Sequence, residues 1–430
     1  VVEDFCNGSR SESSFTERKA PAELFIRRFA RIYTPIVILL SFLIVSVPAL
    51  VGMVTPSFQY VFSDWLYRGL VFLVISCPCA LVISVPLGYF GGIGAASRAG
   101  ILFKGGNYLD AITRVNTVAF DKTGTLTEGH PTVAGWLWAQ PQEGHYKDIL
   151  LAAELKSEHP LAGAIVTALQ EQENIVPATL DGFESITGKG IKVTYQGADY
   201  WAGSHKLLKD YHATLTDVLG EMLAQYESDG CSIVYFGRKD ELLAIVAIKD
   251  QIKATSAEAV RELRTQGIEV YMLTGDGERT ASAVAGRLGN IQYIADALPD
   301  DKEEFVRQLQ LQRKTVAMVG DGINDSQALA CADVSIAMGK GTDIAMDVAM
   351  VTLMTSDLLL LPKAFNLSRQ TVRLIHQNLF WAFIYNLIGI PIAAGLLYPI
   401  NGLLLNPMLA SAAMAFSSVS VVLNSLRLRY

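Results

Sequence analysis

Val118-Ala119-Phe120-Asp121-Lys122-Thr123-Gly124-Thr125-Leu126-Thr127 places three apolar residues directly before an aspartate and a polar, glycine-containing turn. A short apolar run ending in a polar turn reads as a buried strand, with Asp121 delivered at its carboxyl end. A carboxylate in that position can attack the γ-phosphorus of ATP and hold the phosphoryl group as an acyl phosphate. Thr123 offers backbone and hydroxyl contacts to such a group, and Gly124 permits the tight turn.

The same pattern recurs at 270–273 and 316–319, each an apolar run closed by an acidic turn, Thr274-Gly275-Asp276 and Gly320-Asp321-Gly322-Ile323-Asn324-Asp325. Helical periodicity falls at 256–265, 280–288 and 301–310, and Pro299-Asp300-Asp301 marks a helix start. Strands alternating with helices, and acids at the strand ends, describe an open α/β sheet with its ligands outside those ends. From about 128 to 243 the texture changes to alternating runs (191–195, 232–236) with two helices, an inserted α+β domain.

Hydrophobic residues make up 51% and charged residues 18%, against about a quarter charged in ordinary soluble chains. The deficit lies in four apolar stretches, 32–54, 66–96, 378–397 and 403–426, each with the ~20 residues of a membrane helix. Arg27, Arg28, Arg31, Arg98, Lys104, Arg369, Arg373, Arg427 and Arg429 flank them, and the turn 398–406 carries no charge. By the positive-inside rule both hairpins hang from the cytoplasmic side and the central region is cytoplasmic. The net charge of −7, with no basic stripe, excludes nucleic acid as a partner. The five cysteines form no disulfide framework. Two of them, Cys77 and Cys79, flank Pro78 inside an apolar stretch, where a proline opens the helix and two thiolates suit a soft transition metal.

The stretch Asp121–Thr127 is the signature of P-type ATPases, and the chain resembles that family from end to end. Cys77-Pro78-Cys79 beside it resembles the heavy-metal branch. The resemblance implies a haloacid dehalogenase-like α/β domain with an inserted nucleotide-binding domain, held on four membrane spans. It implies phosphorylation at Asp121, with Lys122, Thr123, Thr274, Gly275, Asp276, Lys302 and Asn324 around it. Mg²⁺ would sit on Asp121, Thr123, Asp321 and Asp325, and ATP against Glu154, His159, Pro160, Gly188 and Gly190. Ser204 stands where the family commonly has Asn. The nearest soluble alternative, a membrane-anchored phosphatase of the dehalogenase type, carries Asp-x-Asp; Thr123 replaces its second acid. A metal sensor built on the two cysteines would need neither Asp321 nor Lys302.

Two sub-resemblances divide the chain. Cys77, Cys79, Tyr385, Asn386, Met414 and Ser418 match the ligand set of copper(I) pumps, and nothing from 378 to 424 is charged. Thiolate and thioether donors select Cu(I). Up to about residue 110, including Lys19-Ala20-Pro21-Ala22-Glu23 and the run 80–86, the chain is closer to zinc/cadmium pumps. Copper(I) is therefore the expected cargo, with Zn²⁺ or Cd²⁺ as the alternative. The expected segments are 1–31 (linker remnant), 32–104 (first hairpin), 105–128 and 244–362 (phosphorylation domain), 129–243 (nucleotide domain) and 363–430 (last hairpin). Thr-Gly-Glu, the family's actuator motif, occurs nowhere, so phosphorylation without efficient turnover is expected of this stretch. The resemblance further implies a multi-pass protein of the cell (plasma or inner) membrane, with the bilayer, the cargo ion and a metal chaperone as partners.

Overall fold

The computed structural model describes residues 21–55, 58–139, 143–157, 159–172, 175–322, 325–339, 341, 346–347, 349–393 and 407–429. Residues 1–20 of the expected linker 1–31, Asn324 and the turn 398–406 lie outside them. The chain divides into two units, one around residues 114–362 and one formed by the residues before 114 with those after 362.

The first unit holds two sheets. In one, Val351–Leu353, Val334–Met338, Val316–Gly320, Thr117–Asp121, Glu269–Leu273 and Gln292–Ile294 lie side by side in that order, each pairing parallel to its neighbours. Thr117–Asp121 and Val316–Gly320 are buried throughout, which is why they read as unbroken apolar runs rather than alternations. Register decides the site. Asp121 is level with Leu273, and Phe120 with Val319, so three acidic turns leave the sheet at one edge.

Helix Pro299–Leu311 starts where its sequence dictates. Pro299 occupies the first turn, and the Asp301 carboxylate accepts from the Leu298 N–H at 2.9 Å. Lys302, the next residue, is buried.

The second sheet is antiparallel, ordered Thr132–Trp138, Glu241–Lys249, Ser232–Arg238, Ala198–Gly203, Gly190–Tyr195 and Gly182–Ile186. Period-two alternation splits its strands between two cores. Phe236, Val246 and Ile248 pack with Ile149 and Ile165 from helices Glu143–Glu154 and Pro160–Gln170. Tyr235 and Ile245 pack on the other face with Leu207 and Leu223 from helices His205–Asp210 and Asp217–Ser228. The sequence suggested two helices here; four are present among the described residues. Each buried Leu, Ile or Phe contributes about 2 kcal/mol, so a face with several of them offsets the nucleation cost of so short a helix as 205–210.

In the second unit, Arg28–Val54 and Phe62–Arg98 are long and apolar enough to cross a membrane. The second is not the single helix its hydropathy suggests. It breaks into Phe62–Ile75 and Cys79–Arg98, because Pro78 has no N–H to continue the ladder. The Tyr33 hydroxyl donates to the freed carbonyl of Ser76 at 2.8 Å. The remaining helices are Leu360–Ala393 and Pro407–Leu426. Leu360–Ala393 lies close against the Cys79–Arg98 helix: a Cβ on Gly88 would stand 2.4 Å from Ile375 Cγ1. Glycine at such a crossing lets two backbones approach, as between membrane helices.

Candidate active site

Asp121 ends its strand, and Lys122–Leu126 turn away from it. Gly124 adopts φ +71°, and a Cβ there would stand 2.6 Å from Asp321 Oδ2, so only glycine fits. The turn is tied down from the chain's return out of the second sheet. Lys253 Nζ donates to the carbonyls of Gly124 at 2.9 Å and Thr125 at 2.8 Å. Ser256 Oγ donates to Leu126 O at 2.7 Å. The Thr127 hydroxyl donates to the Asp250 carboxylate, whose other oxygen accepts from Gly129 N at 3.1 Å. Sequence reading missed Asp250, Lys253 and Ser256. Their signal was the polar run directly after a strand with seven consecutive buried residues, 242–248.

Asp121, Asp321 and Asp325 each place a carboxylate oxygen within 4.8 Å of the others. Lys302 Nζ is paired with Asp121 Oδ1. Burial opposes the Lys302 charge, but Asp121, with Asp325 and Asp321 behind it, more than offsets that and raises its pKa above the ordinary lysine value. Asp325 is pushed up to about 7 by burial and by the Asp121 charge, with Lys302 pulling the other way. Its Oδ1 accepts from Gly322 N at 2.8 Å, while Oδ2 is buried with no hydrogen-bond partner. Three acids against one ammonium, with a buried carboxylate oxygen left over, fit a hard divalent cation with oxygen ligands.

A second ion pair stands beside the first. Lys122 Nζ lies 2.5 Å from Asp276 Oδ2 and 2.9 Å from Ser232 Oγ. Burial alone would raise the Asp276 pKa; the Lys122 ammonium outweighs it and holds the carboxyl below its usual value. Thr274 Oγ1 donates to Asp276 Oδ2 at 3.0 Å and accepts from Asp276 N at 3.1 Å, closing the turn that carries Gly275.

The carboxyl edge of the parallel sheet thus gathers one aspartate at a strand end, a lysine and two further acids. Residues 115–333, half of the chain, match the model of the haloacid dehalogenase-like hydrolases. The chain belongs to that family.

Its relatives within the haloacid dehalogenase-like family are heavy-metal P-type ATPases. The chain is 41% identical over 411 residues to a copper-exporting P-type ATPase of Legionella pneumophila, covering 96% of this chain and 55% of that protein. It is 43% identical over 358 residues to a silver exporting P-type ATPase of Salmonella typhimurium, covering 83% of this chain and 43% of that protein. Among solved structures it resembles a zinc-transporting PIB-type ATPase in the E2.Pi state, with TM-score 0.67 and 36% identity over 97% of this chain and 66% of that one. The chain thus spans about half the length of the curated relatives it matches.

In this dehalogenase-like unit the expected nucleotide residues are distributed as follows. His159 caps helix Pro160–Gln170, its Nδ1 accepting from Leu161 N at 3.2 Å, which leaves Nε2 to carry the proton. Desolvation lowers its pKa, Asp276 pulls it up and Lys122 adds to the fall, although the residue as a whole is exposed. Gly188 (φ +69°) and Gly190 (φ +145°) form the turn between two strands, where a Cβ on Gly190 would meet Ala202 O at 2.2 Å. Ser204 Oγ is buried there with no hydrogen-bond partner. Glu154 is buried at its helix end, and burial raises its pKa to about 7.

In the second unit a 60 Å³ cavity is lined by Cys77, Cys79, Tyr385, Asn386, Met414 and Ser417. Five of the six residues proposed as cargo ligands are there, but Ser417 lines it and Ser418 does not. Residues 414 and 418 share a helical face by spacing alone; the orientation of helix Pro407–Leu426 presents 417 instead. Cys77 and Cys79 are joined as a disulfide, with Cα atoms 5.5 Å apart. The break at Pro78 brings the two side chains toward each other.

Proposed function

We propose that this chain is the energy-coupling part of an ATP-driven pump for a soft metal ion, with Cu(I) as cargo. The observation that carries the reading is the Asp121–Lys302 pair set among Asp321 and Asp325. Asp121 attacks the γ-phosphorus of ATP, ADP leaves, and the phosphoryl group stays on the carboxylate as an acyl phosphate. Lys302 neutralises the oxygens on which charge develops. Asp321 and Asp325, with Asp121 and Thr123, would hold Mg²⁺, which supplies charge neutralisation at the phosphoryl oxygens when bound. Asn324 belongs to the same motif by sequence. His159, Glu154, Pro160, Gly188 and Gly190 form the nucleotide side, where His159 Nε2–H is a donor near the phosphates' entry.

The four apolar segments would cross the bilayer as two hairpins, with the 114–362 unit on the cytoplasmic side of a cell membrane and a metal chaperone as a candidate donor of cargo. Cys77 and Cys79 as thiolates, after reduction of the bond between them, would join Met414 in a soft donor set with Tyr385, Asn386 and one serine. Described relatives that export copper and silver support Cu(I). The likeness to a zinc-transporting ATPase favours Zn²⁺ or Cd²⁺ as the second reading, but among the described residues no carboxylate lines the cavity to suit a divalent ion.

The test is transfer of ³²P from ATP to protein under reducing conditions, with Cu(I) or Zn²⁺ added. Hydroxylamine-labile label on Asp121 that rises with Cu(I) and vanishes in Asp121→Asn is expected. Label that rises with Zn²⁺ only would move the chain to the zinc reading, and no label in any condition would overturn the pump reading.

A further inference from the structure

The cytoplasmic half of helix Leu360–Ala393 is cationic along one face. Arg369, Arg373, His376 and Phe380 follow one another at spacings of three or four residues and line, with Thr113, Val372 and Gln377, an open 530 Å³ groove. Residues between them face the other way: Thr371, Leu374, Ile375 and Asn378 are buried. The helix contains no Asp or Glu from Leu360 to Ala393. Arg369 lies over the Phe365 ring at 6.0 Å, which holds its guanidinium at the groove's upper end.

Polarity changes sharply along this face. After Arg373 no Lys or Arg occurs up to Ala393, and the aromatic side chains of Phe380 and Trp381 are 57% and 53% exposed. From Arg373 to Phe380 the helix rises about 10 Å, the distance from a headgroup phosphate into the upper acyl chains. Guanidinium is a fixed cation whose forked donors match phosphate oxygens, and aromatic rings prefer the boundary just below. A soluble anion would use only the upper half of such a groove. An acidic peptide would leave the aromatic half bare.

We propose that this groove binds an anionic phospholipid, its phosphate between Arg369 and Arg373 with His376 as a further donor, and its chains against Phe380 and Trp381. The site is separate from the ATP and cargo sites. It rests on the reading of this helix as a membrane span.

The full chain, in neutral detergent with reductant, is titrated with bromine-labelled phosphatidylglycerol or phosphatidylcholine. The signal is quenching of Trp381, taken as the difference from Trp381→Phe. Phosphatidylglycerol is expected to reach half-quenching at a concentration at least about fivefold lower than phosphatidylcholine, and each arginine removed should cost about fivefold. Arg373→Gln should weaken phosphatidylglycerol by that factor, and Arg369→Gln with Arg373→Gln should abolish the preference. Arg373→Lys should keep most of it, which also separates lost charge from lost folding. Arg261→Gln, in the other unit, should change nothing. Equal quenching by both lipids, or full competition by millimolar inorganic phosphate, would overturn the headgroup site alone. Absence of quenching by either lipid would overturn the membrane placement of the helix as well.

Discussion

Lys122 Nζ stands 2.9 Å from Ser232 Oγ, joining the turn after Asp121 to a strand of the second sheet 110 residues away. Both side chains are buried, and Asp276 completes the contact from the opposite side of the ammonium. This ammonium is one of several contacts between the two sheet regions, with Lys206 Nζ to Asp296 O at 2.6 Å and Thr280 Oγ1 to Cys231 O at 2.9 Å.

Replacing Lys122 by Met should destabilise the 114–362 unit by about 3–5 kcal/mol, because Asp276 would remain buried without its partner. Ser232→Ala should cost only about 1–2 kcal/mol, since Lys122 keeps the ion pair. Urea midpoints of the two variants decide it; equal shifts would show that the ion pair does not dominate the contact.

Lys302 is the only ammonium paired with Asp121 among the described residues. Lys302→Met should lower the rate of phosphoenzyme formation by about 10²–10³ while leaving binding of a fluorescent ATP analogue near that of the parent. Rapid-quench ³²P incorporation gives the first figure and equilibrium titration the second. A parallel fall in affinity would place Lys302 in nucleotide binding instead.

Glu154 supplies the pH dependence. Its carboxyl is raised from 4.5 to about 7 in the folded chain by burial, so between those values the folded state holds a proton that the unfolded state has released. Stability contributed by this group is thus fully present below about pH 4.5 and falls as pH rises toward 7, by about 3 kcal/mol in all. Glu154→Gln should flatten that fall in denaturation curves taken from pH 5 to 8. A wild-type curve already flat there would remove the argument.

Ser417 and Ser418 can be separated by metal binding. With Cys77 and Cys79 reduced, Ser417→Ala should weaken Cu(I) retention against a chromogenic chelator by about tenfold, roughly one hydrogen-bond-scale contact. Ser418→Ala should have little effect. The reverse order would mean that helix Pro407–Leu426 turns on binding cargo.

The central strands were legible because burial on both faces leaves an unmistakable apolar run, and the acids were legible because each closes such a run. The start of helix Pro299–Leu311 was equally plain, since Pro299 and Asp301 act within four residues. Asp250, Lys253 and Ser256 were not, although they hold the turn beside Asp121. They act on backbone carbonyls and one hydroxyl more than 120 residues away, contacts that have no local pattern. The break at Pro78 was foreseeable from the missing N–H. The choice of Ser417 over Ser418 was not, because helical spacing fixes which residues share a face and not which way that face turns.

The sequence by itself determined the strand-end position of Asp121, the apolar character of the membrane candidates and the chemical type of the donors, all of which follow from residue identity and short-range order. Only the tertiary structure decided which acids share one sheet edge, which lysine reaches which aspartate, and which serine meets the cavity. Those outcomes depend on strand register and helix rotation, and both are set by packing across the whole unit.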